Sequence, residues 1–571
     1  MHKIINSPAS AVDDYVNALA ARTPSLARVA GWNVLARAGS DPAQLREVAV
    51  ISGGGSGHEP AHAGYVGEGM LHAAVLGEVF TSPSADAVHA AIKATAGRAG
   101  ALLVVKNYTG DKLNFGIAAE MAKADGIPVE TVLVGDDVAL PGETRVGPRG
   151  IAGTVLVHKI AGAASARGMN LAETAEAASA FARKLGSMGV ATGPCTLPGA
   201  LRPSFDLPQG EIEWGLGIHG EPGRERGSAH SAKGIATRLV GHVVEQKAIP
   251  PGAAVVVLVN GLGATTALEL EIVGAEVQSA LNEHRIHPVR MWTGSYLTAL
   301  DMAGVSVSLA QVTDDELELL DAPASTVAWR AAPRLDPGMS RTSLVIADAG
   351  PDNDDGRNRR AEDLSVAITA VTAAAEAVIA AEPALTDLDR AIGDGDLGTN
   401  LARGAQRILA AVGTLSRLGS HQLLLRELAA LLRRHVGGTS GPLYSLLALG
   451  AAEELARADP SPGTWARAFA AGTSAVRRVG GAEVGDRTMV DALAPAAETL
   501  CEALDDGRPA EAAVRLALSA AEAGARATEQ MHAGLGRSSY LGERVAGHPD
   551  PGAVAVVVWL RAVATCLYGD N

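Results

Sequence analysis

Cysteine is scarce. The 571 residues contain three, Cys195, Cys501 and Cys566, far apart and in no C-x-x-C arrangement. That argues against a disulfide framework and against a thiolate zinc site, and a reducing, cytoplasmic setting is expected. Aromatic residues make up 3%, so the hydrophobic 47% and the mean hydropathy of +0.15 come mostly from Ala, Val and Leu. Positive charge is in deficit, with 48 Lys and Arg against 63 Asp and Glu, a formal net charge of -15 and an isoelectric point near 5.5. Such a balance excludes a nucleic-acid scaffold, which needs a basic face, and leaves any anionic ligand to local groups. No apolar run of about 18 residues free of charge occurs, so no membrane span is expected. The N-terminal stretch MHKIINSPASAVDDYVNALA reaches Asp13 and Asp14 before any long apolar run, unlike a secretory leader.

What is present is α/β patterning followed by helix. Short β-branched runs, VAVIS (48–52), ALLVVK (101–106), VETVLVG (129–135) and AAVVVLVNG (253–261), alternate with helical segments such as ADAVHAAIKATA. That alternation predicts buried, largely parallel strands. A Pro- and Gly-rich stretch within 183–225 marks a junction, giving one α/β subdomain over 1–182 and a second over 183–338. Residues 339–360 are polar and read as a linker. From 361 to 571 the text changes to Ala/Leu patterns such as HQLLLRELAALLRRH with few strand candidates, which predicts an all-α C-terminal domain.

In LTDLDRAIGDGDLGTNLARG (385–404), Asp389, Asp394 and Asp396 crowd three carboxylates together among freely turning glycines. Such carboxylates repel one another unless a hard cation neutralises them, and Mg²⁺ with phosphate oxygens suits so few ligands. The bland alternative is a solvated helix connection. The spacing fails as an EF-hand, because no acidic residue closes the loop. HVGGTSGPLYS (435–445) offers backbone amides with Thr439 and Ser440 ahead of an apolar helix, a phosphate-binding arrangement. Two further loops, GGAEVGDRTMVDAL (480–493) and LGRSSYLGERVAGHPDPGA (535–553), add Arg537 and Asp550 as candidate phosphate and sugar contacts. Each alone could merely connect helices; four together point to a nucleotide and Mg²⁺ at one end of a bundle. The phosphate loop G-x-x-x-x-G-K-[ST] and the protein-kinase motifs are missing, so any ATP is held by another design.

In the N-terminal half, VAVISGGGSGHEPAHAG (48–64) ends a buried strand in glycines and His58, at the edge where α/β sheets open to ligands. A second strand places Lys106 and Asp111 just past its end, so His58, Lys106 and Asp111 are expected around one pocket; a plain tight turn is the alternative. EIEWGLGIHGEPGRE (211–225) carries the glycine spacing of a dinucleotide fingerprint at Gly215, Gly217 and Gly220. Pro222 and Gly223 interrupt the helix that such a fingerprint must open. The better reading is a loop presenting His219, whose neutral imidazole is a competent nucleophile.

Taken together, SGGGSGHEPAHAGYVG, GEVFTSPS, VKNYTGDKLNFG, GDDVAL, GTVLVHKIAGA, GLGIHGEPG, GDGDLGTN, GGTSGPLY, GDRTMVDAL, GRSSYLGERV and DPGA resemble, in order, the signatures of the ATP-dependent dihydroxyacetone kinase family. In that form a ketose-binding K domain and a nucleotide-binding L domain share one chain. The resemblance runs from Ile4 to the C-terminus. It implies two α/β subdomains followed by an eight-helix barrel, and a homodimer.

By the same resemblance, His219 adds to the substrate carbonyl to form a hemiaminal, selecting short ketoses over glycerol. Gly55, Ser56, Gly57, His58, Lys106 and Asp111 hold the ketose, with His58 and Asp111 as acid and base. Asp389, Asp394 and Asp396 correspond to Mg²⁺ ligands. Leu397, Gly398, Thr399, Asn400, Thr439, Ser440, Gly480, Met489, Arg537, Asp550, Pro551 and Gly552 correspond to ATP contacts. Dihydroxyacetone and a tetrulose such as erythrulose are both candidate substrates. Two rival activities are a cyclising FAD-AMP lyase using Mn²⁺ and a ketose-sensing regulator without turnover; retention of His219 and the three Asp residues speaks against the latter.

Overall fold

A computed structural model of the chain describes residues 3–39, 41–140, 147–335, 362–532 and 547–569. It divides into two compact units, Met1–Val345 and Ile346–Asn571. The linker expected over 339–360 lies outside the described residues.

The first unit opens with α1 (Ala11–Arg22) and the antiparallel pair β1 (Leu26–Arg28) and β2 (Val34–Arg37). Then follow β3 (Ala49–Ser56), β4 (Ala73–Val79), α2 (Ala85–Thr95), β5 (Ala101–Lys106), α3 (Thr109–Ala124) and β6 (Val129–Val134). The sheet order is β1-β2-β4-β3-β5-β6, and the four strands from β4 to β6 run parallel. Every residue of β3 and β5 is buried, as continuous apolar runs covered on both faces require. Two helices, α4 (Thr154–Ala166) and α5 (Leu171–Lys184), come next. All but one residue of α4 is buried, which fits a helix apolar all round.

A second sheet is built from β7 (Gly186–Ala191), β8 (Glu211–Trp214), β9 (Glu225–Ser228), β10 (Ala254–Gly261), β11 (His287–Gly294) and β12 (Gly304–Gln311). Helices α6 (Ala232–Gln246), α7 (Ala267–Glu283) and α8 (Asp314–Asp321) accompany it. Its order is β11-β10-β12-β7-β8-β9, and here the expectation of largely parallel strands fails. Only β10 and β11, joined through α7, are parallel among these strands. The apolar run 253–261 reads the same in either case, because a strand buried on both faces carries no signal of its neighbours' direction. One core cluster takes Val104 from the first sheet, Leu156 from α4 and Val256 from the second sheet. The two sheets of this unit therefore share their interior.

Among its described residues the second unit is built of helices, with no strand: α9 (Ser365–Ala380), α10 (Glu382–Ile392), α11 (Leu397–Leu415), α12 (His421–His435), α13 (Ser440–Leu455), α14 (Pro462–Gly480), α15 (Val490–Asp505), α16 (Ala510–Ala527) and α17 (Pro551–Tyr568). Consecutive helices from α11 to α17 pack as neighbours, and α9 closes the ring by touching both α17 and α11. Eight helices thus form a barrel, and α10, bent 57° from α9, packs mainly on α11 and α17. Side-chain caps begin α12 at Ser420, α14 at Ser461 and α17 at Asp550. The barrel encloses an apolar cavity of about 670 Å³ whose walls include Leu424, Phe469 and Trp559 and none of the three carboxylates. Helix α17 is long and apolar enough to cross a membrane by composition, but it carries Arg561, so it is not the charge-free run whose absence was expected. In the barrel it packs against α9 and α16, and its Arg561 pairs with Glu522 at 2.7 Å.

Candidate active site

In the first unit the parallel strands deliver their chemistry at their carboxyl ends, as α/β sheets do. Strand β3 runs out into Gly57 and His58, and β5 ends at Lys106. Asp111 lies in the first turn of α3, where the helix dipole favours a carboxylate. His58, Lys106 and Asp111 are all buried, at 0%, 0% and 3% exposure. The Lys106 Nζ stands 3.7 Å from Asp111 Oδ2, and Asp111 Oδ1 accepts a short hydrogen bond from Ser82. Burial pushes the Lys106 ammonium down from its usual range, and Asp111 opposes that shift. Gly54 makes the arrangement possible: it sits at φ +153°, and a Cβ there would lie 2.2 Å from Lys106 Nζ.

His219 comes from elsewhere. Residues 215–224 link β8 to β9 as an antiparallel hairpin loop with no helix behind it, so the glycine pattern is no dinucleotide turn. Its Nδ1 faces Glu221 Oε1 at 2.7 Å, and its backbone N–H donates to Glu221 Oε2 at 2.9 Å. Gly217 gives that carboxylate room, since a Cβ there would fall 2.1 Å from Oε2. Arg149 holds the loop from below, donating to the Gly215 carbonyl at 2.7 Å while paired with Asp137 at 2.6 Å.

The two histidines meet. His58 Nε2 lies 3.1 Å from His219 Nε2, and His58 Nδ1 lies 2.7 Å from the Thr298 carbonyl. Both Nδ1 atoms face pure acceptors, so both carry protons. The contact between the two Nε2 atoms then needs one further proton shared across it. Burial, with His219 and Lys106 nearby, drives His58 well below its usual range. A proton on His58 Nε2 is therefore easily given up. Burial alone would raise Glu221, but hydrogen bonding and charge attraction to His219 outweigh it and bring it to about 2. The rings of Phe80 and Tyr108 stand 5.2 and 4.8 Å from that of His219, forming an apolar collar.

Of the other predicted ketose residues, Ser56 donates its hydroxyl to the Gly77 carbonyl at 2.7 Å, and the Gly57 amide points at the Glu59 carboxylate at 3.0 Å. Gly55 admits the backbone of Thr81, which a Cβ would meet at 2.6 Å. Glu221, Ser82, Phe80 and Tyr108 were not foreseen. Glu221 was findable, since a nucleophilic histidine calls for an acceptor that fixes its tautomer, and one stands two residues away.

In the second unit, Asp389, Asp394 and Asp396 each bring one oxygen within 4.8 Å of the others. Asp389, on α10, also accepts from the backbone N–H groups of Asp396 and Leu397 at 2.9 and 3.1 Å, which pins the start of α11. Their hard oxygens and close spacing fit a divalent cation such as Mg²⁺. Leu397, Gly398, Thr399 and Asn400 make the first turn of α11. Gly398 is packed so closely that a Cβ would lie 2.3 Å from Thr386 Oγ1.

Thr439 and Ser440 begin α13, Met489 begins α15, and Asp550, Pro551 and Gly552 begin α17. In an up-and-down ring the N-termini of alternate helices share one end, so these four starts converge. Gly437 abuts Asn400, and Gly552 abuts Met489. Gly480 closes α14 at that same end. Arg537 lies outside the described residues. Two unforeseen residues brace the loops: buried Arg487 donates to the Thr528 and His548 carbonyls at 3.1 and 2.8 Å, and Asp491 accepts from the Gly485 and Thr488 amides at 2.6 and 2.8 Å.

An α/β unit that sets a half-buried histidine against a buried one, followed by a helical barrel with clustered carboxylates at its helix starts, defines a two-part architecture. Residues 17–328 match the Dak1 domain and residues 391–565 the DAK2 domain. The chain is 41% identical over 579 residues to a putative 3,4-dihydroxy-2-butanone kinase of Solanum lycopersicum, covering 98% of this chain and 97% of the other. It is 40% identical to the triokinase/FMN cyclase of Bos taurus, covering 100% and 99%. The crystal structure of the dihydroxyacetone kinase from C. freundii in complex with AMP-PNP and Mg²⁺ matches with a TM-score of 0.64 and 34% identity, over 99% of both chains. This chain belongs to the dihydroxyacetone kinase family, with both domains fused.

Proposed function

We propose that this chain is an ATP-dependent kinase that phosphorylates the terminal hydroxyl of a short-chain ketose held covalently on His219. The observation that carries the reading is the His58–His219 pair backed by Glu221, a histidine whose Nε2 is aimed at a proton donor inside an apolar collar. The Nε2 lone pair of His219 adds to the substrate carbonyl carbon. A C–N bond forms, the C=O π bond breaks, and the carbonyl oxygen takes the proton shared with His58. The product hemiaminal keeps an imidazolium positive charge opposite Glu221, so charge and protons balance. Glycerol has no carbonyl and cannot be held this way.

Asp111, with Lys106 and Ser82 on its flanks, then accepts the proton of the terminal hydroxyl as its oxygen attacks phosphorus. ADP leaves from the far side, and positioning with charge neutralisation supplies most of the acceleration. Asp389, Asp394 and Asp396 would hold Mg²⁺, which supplies that neutralisation on the phosphate oxygens. The first turns of α11, α13, α15 and α17 offer N–H groups to the nucleotide. The four-carbon and three-carbon substrates in the relatives' names support a C3 or C4 ketose, so dihydroxyacetone and erythrulose are the substrates to try first.

Purified protein with ATP, Mg²⁺ and a panel of C3 to C6 ketoses, read by ADP release, tests the proposal. No ketose-stimulated ADP with any of them would remove it. Adduct formation on His219 without ADP would instead indicate a ketose sensor. A second reading, cyclising cleavage of FAD, is favoured by the triokinase/FMN cyclase relative. It is tested by AMP release from FAD with Mn²⁺.

A further inference from the structure

Behind the ketose site lies a buried polar chain that the reaction as written leaves unused. Lys106 donates from Nζ to His62 Nε2 at 2.8 Å and to the Gly53 carbonyl at 3.1 Å, and both contacts are shorter than its 3.7 Å approach to Asp111. His62 is 3% exposed, and its Nδ1 lies 3.5 Å from Ser52 Oγ. Ser52 donates to the Val104 carbonyl at 2.7 Å, so its oxygen is left to accept, and His158 Nε2 approaches it at 3.0 Å. The ring of His158 stands 5.1 Å from that of His62.

The protonation pattern follows from these partners. An ammonium has only donors, so His62 Nε2 must be a bare acceptor and its proton must sit on Nδ1. The charged or titratable groups facing His62 are Lys106, His158 and His58; Asp111 also faces Lys106. Burial, then Lys106, keeps both His62 and His158 neutral. A buried histidine in a core usually satisfies itself on backbone carbonyls; here it spends its lone pair on a cation that flanks the reacting carboxylate.

Resting on the kinase reading above, we propose that His62 is a positioning residue for phosphoryl transfer. Its Nε2 draws the Lys106 ammonium away from close pairing with Asp111 and leaves that carboxylate free to take the proton of the ketose hydroxyl. Without His62 the ammonium closes on Asp111, and the base is spent on an internal ion pair.

The test compares wild type, His62→Gln and His62→Leu, full-length, in ketose-stimulated ADP release from pH 6 to 10. Ketose-dependent turnover of the wild type establishes the kinase reading first, and its absence would remove that reading rather than the role of His62. Glutamine keeps an acceptor near the Nε2 position and retains kcat within about threefold. Leucine lowers kcat about tenfold or more with little change in the ketose KM, as loss of a bond to a charged group implies. In His62→Leu the alkaline limb also moves to higher pH, because an ammonium closed on Asp111 is held in its charged form. Wild-type kcat and an unmoved alkaline limb in His62→Leu overturn the proposal, as does a glutamine variant no better than the leucine one. If His62→Leu does not fold, His62→Asn carries the test, since its shorter amide cannot reach Lys106; the same loss supports the proposal, and wild-type behaviour overturns it.

Discussion

His58 and His219, 161 positions apart in the chain, face each other Nε2 to Nε2 at 3.1 Å, each with its Nδ1 proton already given to another acceptor. That geometry leaves one proton for two nitrogens. A carbonyl entering between them meets a nucleophile on one side and the proton its oxygen needs on the other.

His219→Ala removes the nucleophile and keeps the collar. It should lower kcat/KM for the ketose by roughly 10²-fold or more and erase the preference for ketose over glycerol, because orientation by the covalent bond is lost. Steady-state rates with both substrates check this, together with intact mass measured under native conditions in the presence of the ketose. Unchanged discrimination would sink the hemiaminal.

Glu221→Gln keeps the shape of the loop and removes the charge opposite the imidazolium. The expected loss is about 10²-fold or more in kcat/KM, by analogy with other carboxylates that fix a catalytic histidine's tautomer. Glu221 is depressed from 4.5 to about 2, so its stabilising contribution is present above pH 4.5 and is lost as pH falls toward 2. Melting temperatures of wild type and variant should therefore converge over that window; a gap constant with pH would place the effect elsewhere.

The fold class and the residues on strand ends and helix starts were legible in the sequence because each is a local pattern: a buried β-branched run ending in glycine, or a glycine-rich turn opening an apolar helix. What was illegible depended on side chains meeting from distant segments. His62 looks like any residue of a turn until Lys106, 44 positions on, is seen bonded to it. Phe80 and Tyr108 are ordinary loop aromatics until both rings close on His219. Strand direction in the second sheet was likewise hidden, because the sequence of β10 reports burial and its direction relative to neighbours is set by connections elsewhere.

Of the three carboxylates, Asp389 also has a structural part to play. Asp389 holds two backbone amides at the start of α11, whereas Asp394 is exposed. Asp394→Asn should abolish Mg²⁺-dependent turnover and leave the melting temperature closer to wild type than the loss of Asp389 does. Asp389→Ala should abolish turnover and also cost about 1 kcal/mol of stability, the usual value for a lost helix-start acceptor. Mg²⁺ titration by calorimetry, with thermal melts of both variants, distinguishes the two roles; equal stability in both would mean that Asp389 does not pin α11.

Asp550 caps α17 through a 2.8 Å bond from the Ala553 amide, yet burial pushes its carboxyl from 3.8 up to about 6. A carboxyl raised on folding means that the folded state binds more protons between those values, so its contribution falls as pH rises through about 6 and is fully lost above it. At pH 8 the buried charge is a net cost to the nucleotide-free barrel. Asparagine is as good a helix cap and carries no charge, so Asp550→Asn should raise the melting temperature at pH 8 and have little effect below pH 3.8. If the carboxylate also accepts from the nucleotide, as its place among the four helix starts suggests, the same variant should bind ATP more weakly, near tenfold for one lost charged hydrogen bond. Greater stability with weaker nucleotide binding would mark Asp550 as strain retained for function. Loss of stability at pH 8 would show instead that the charge is already compensated in the free protein.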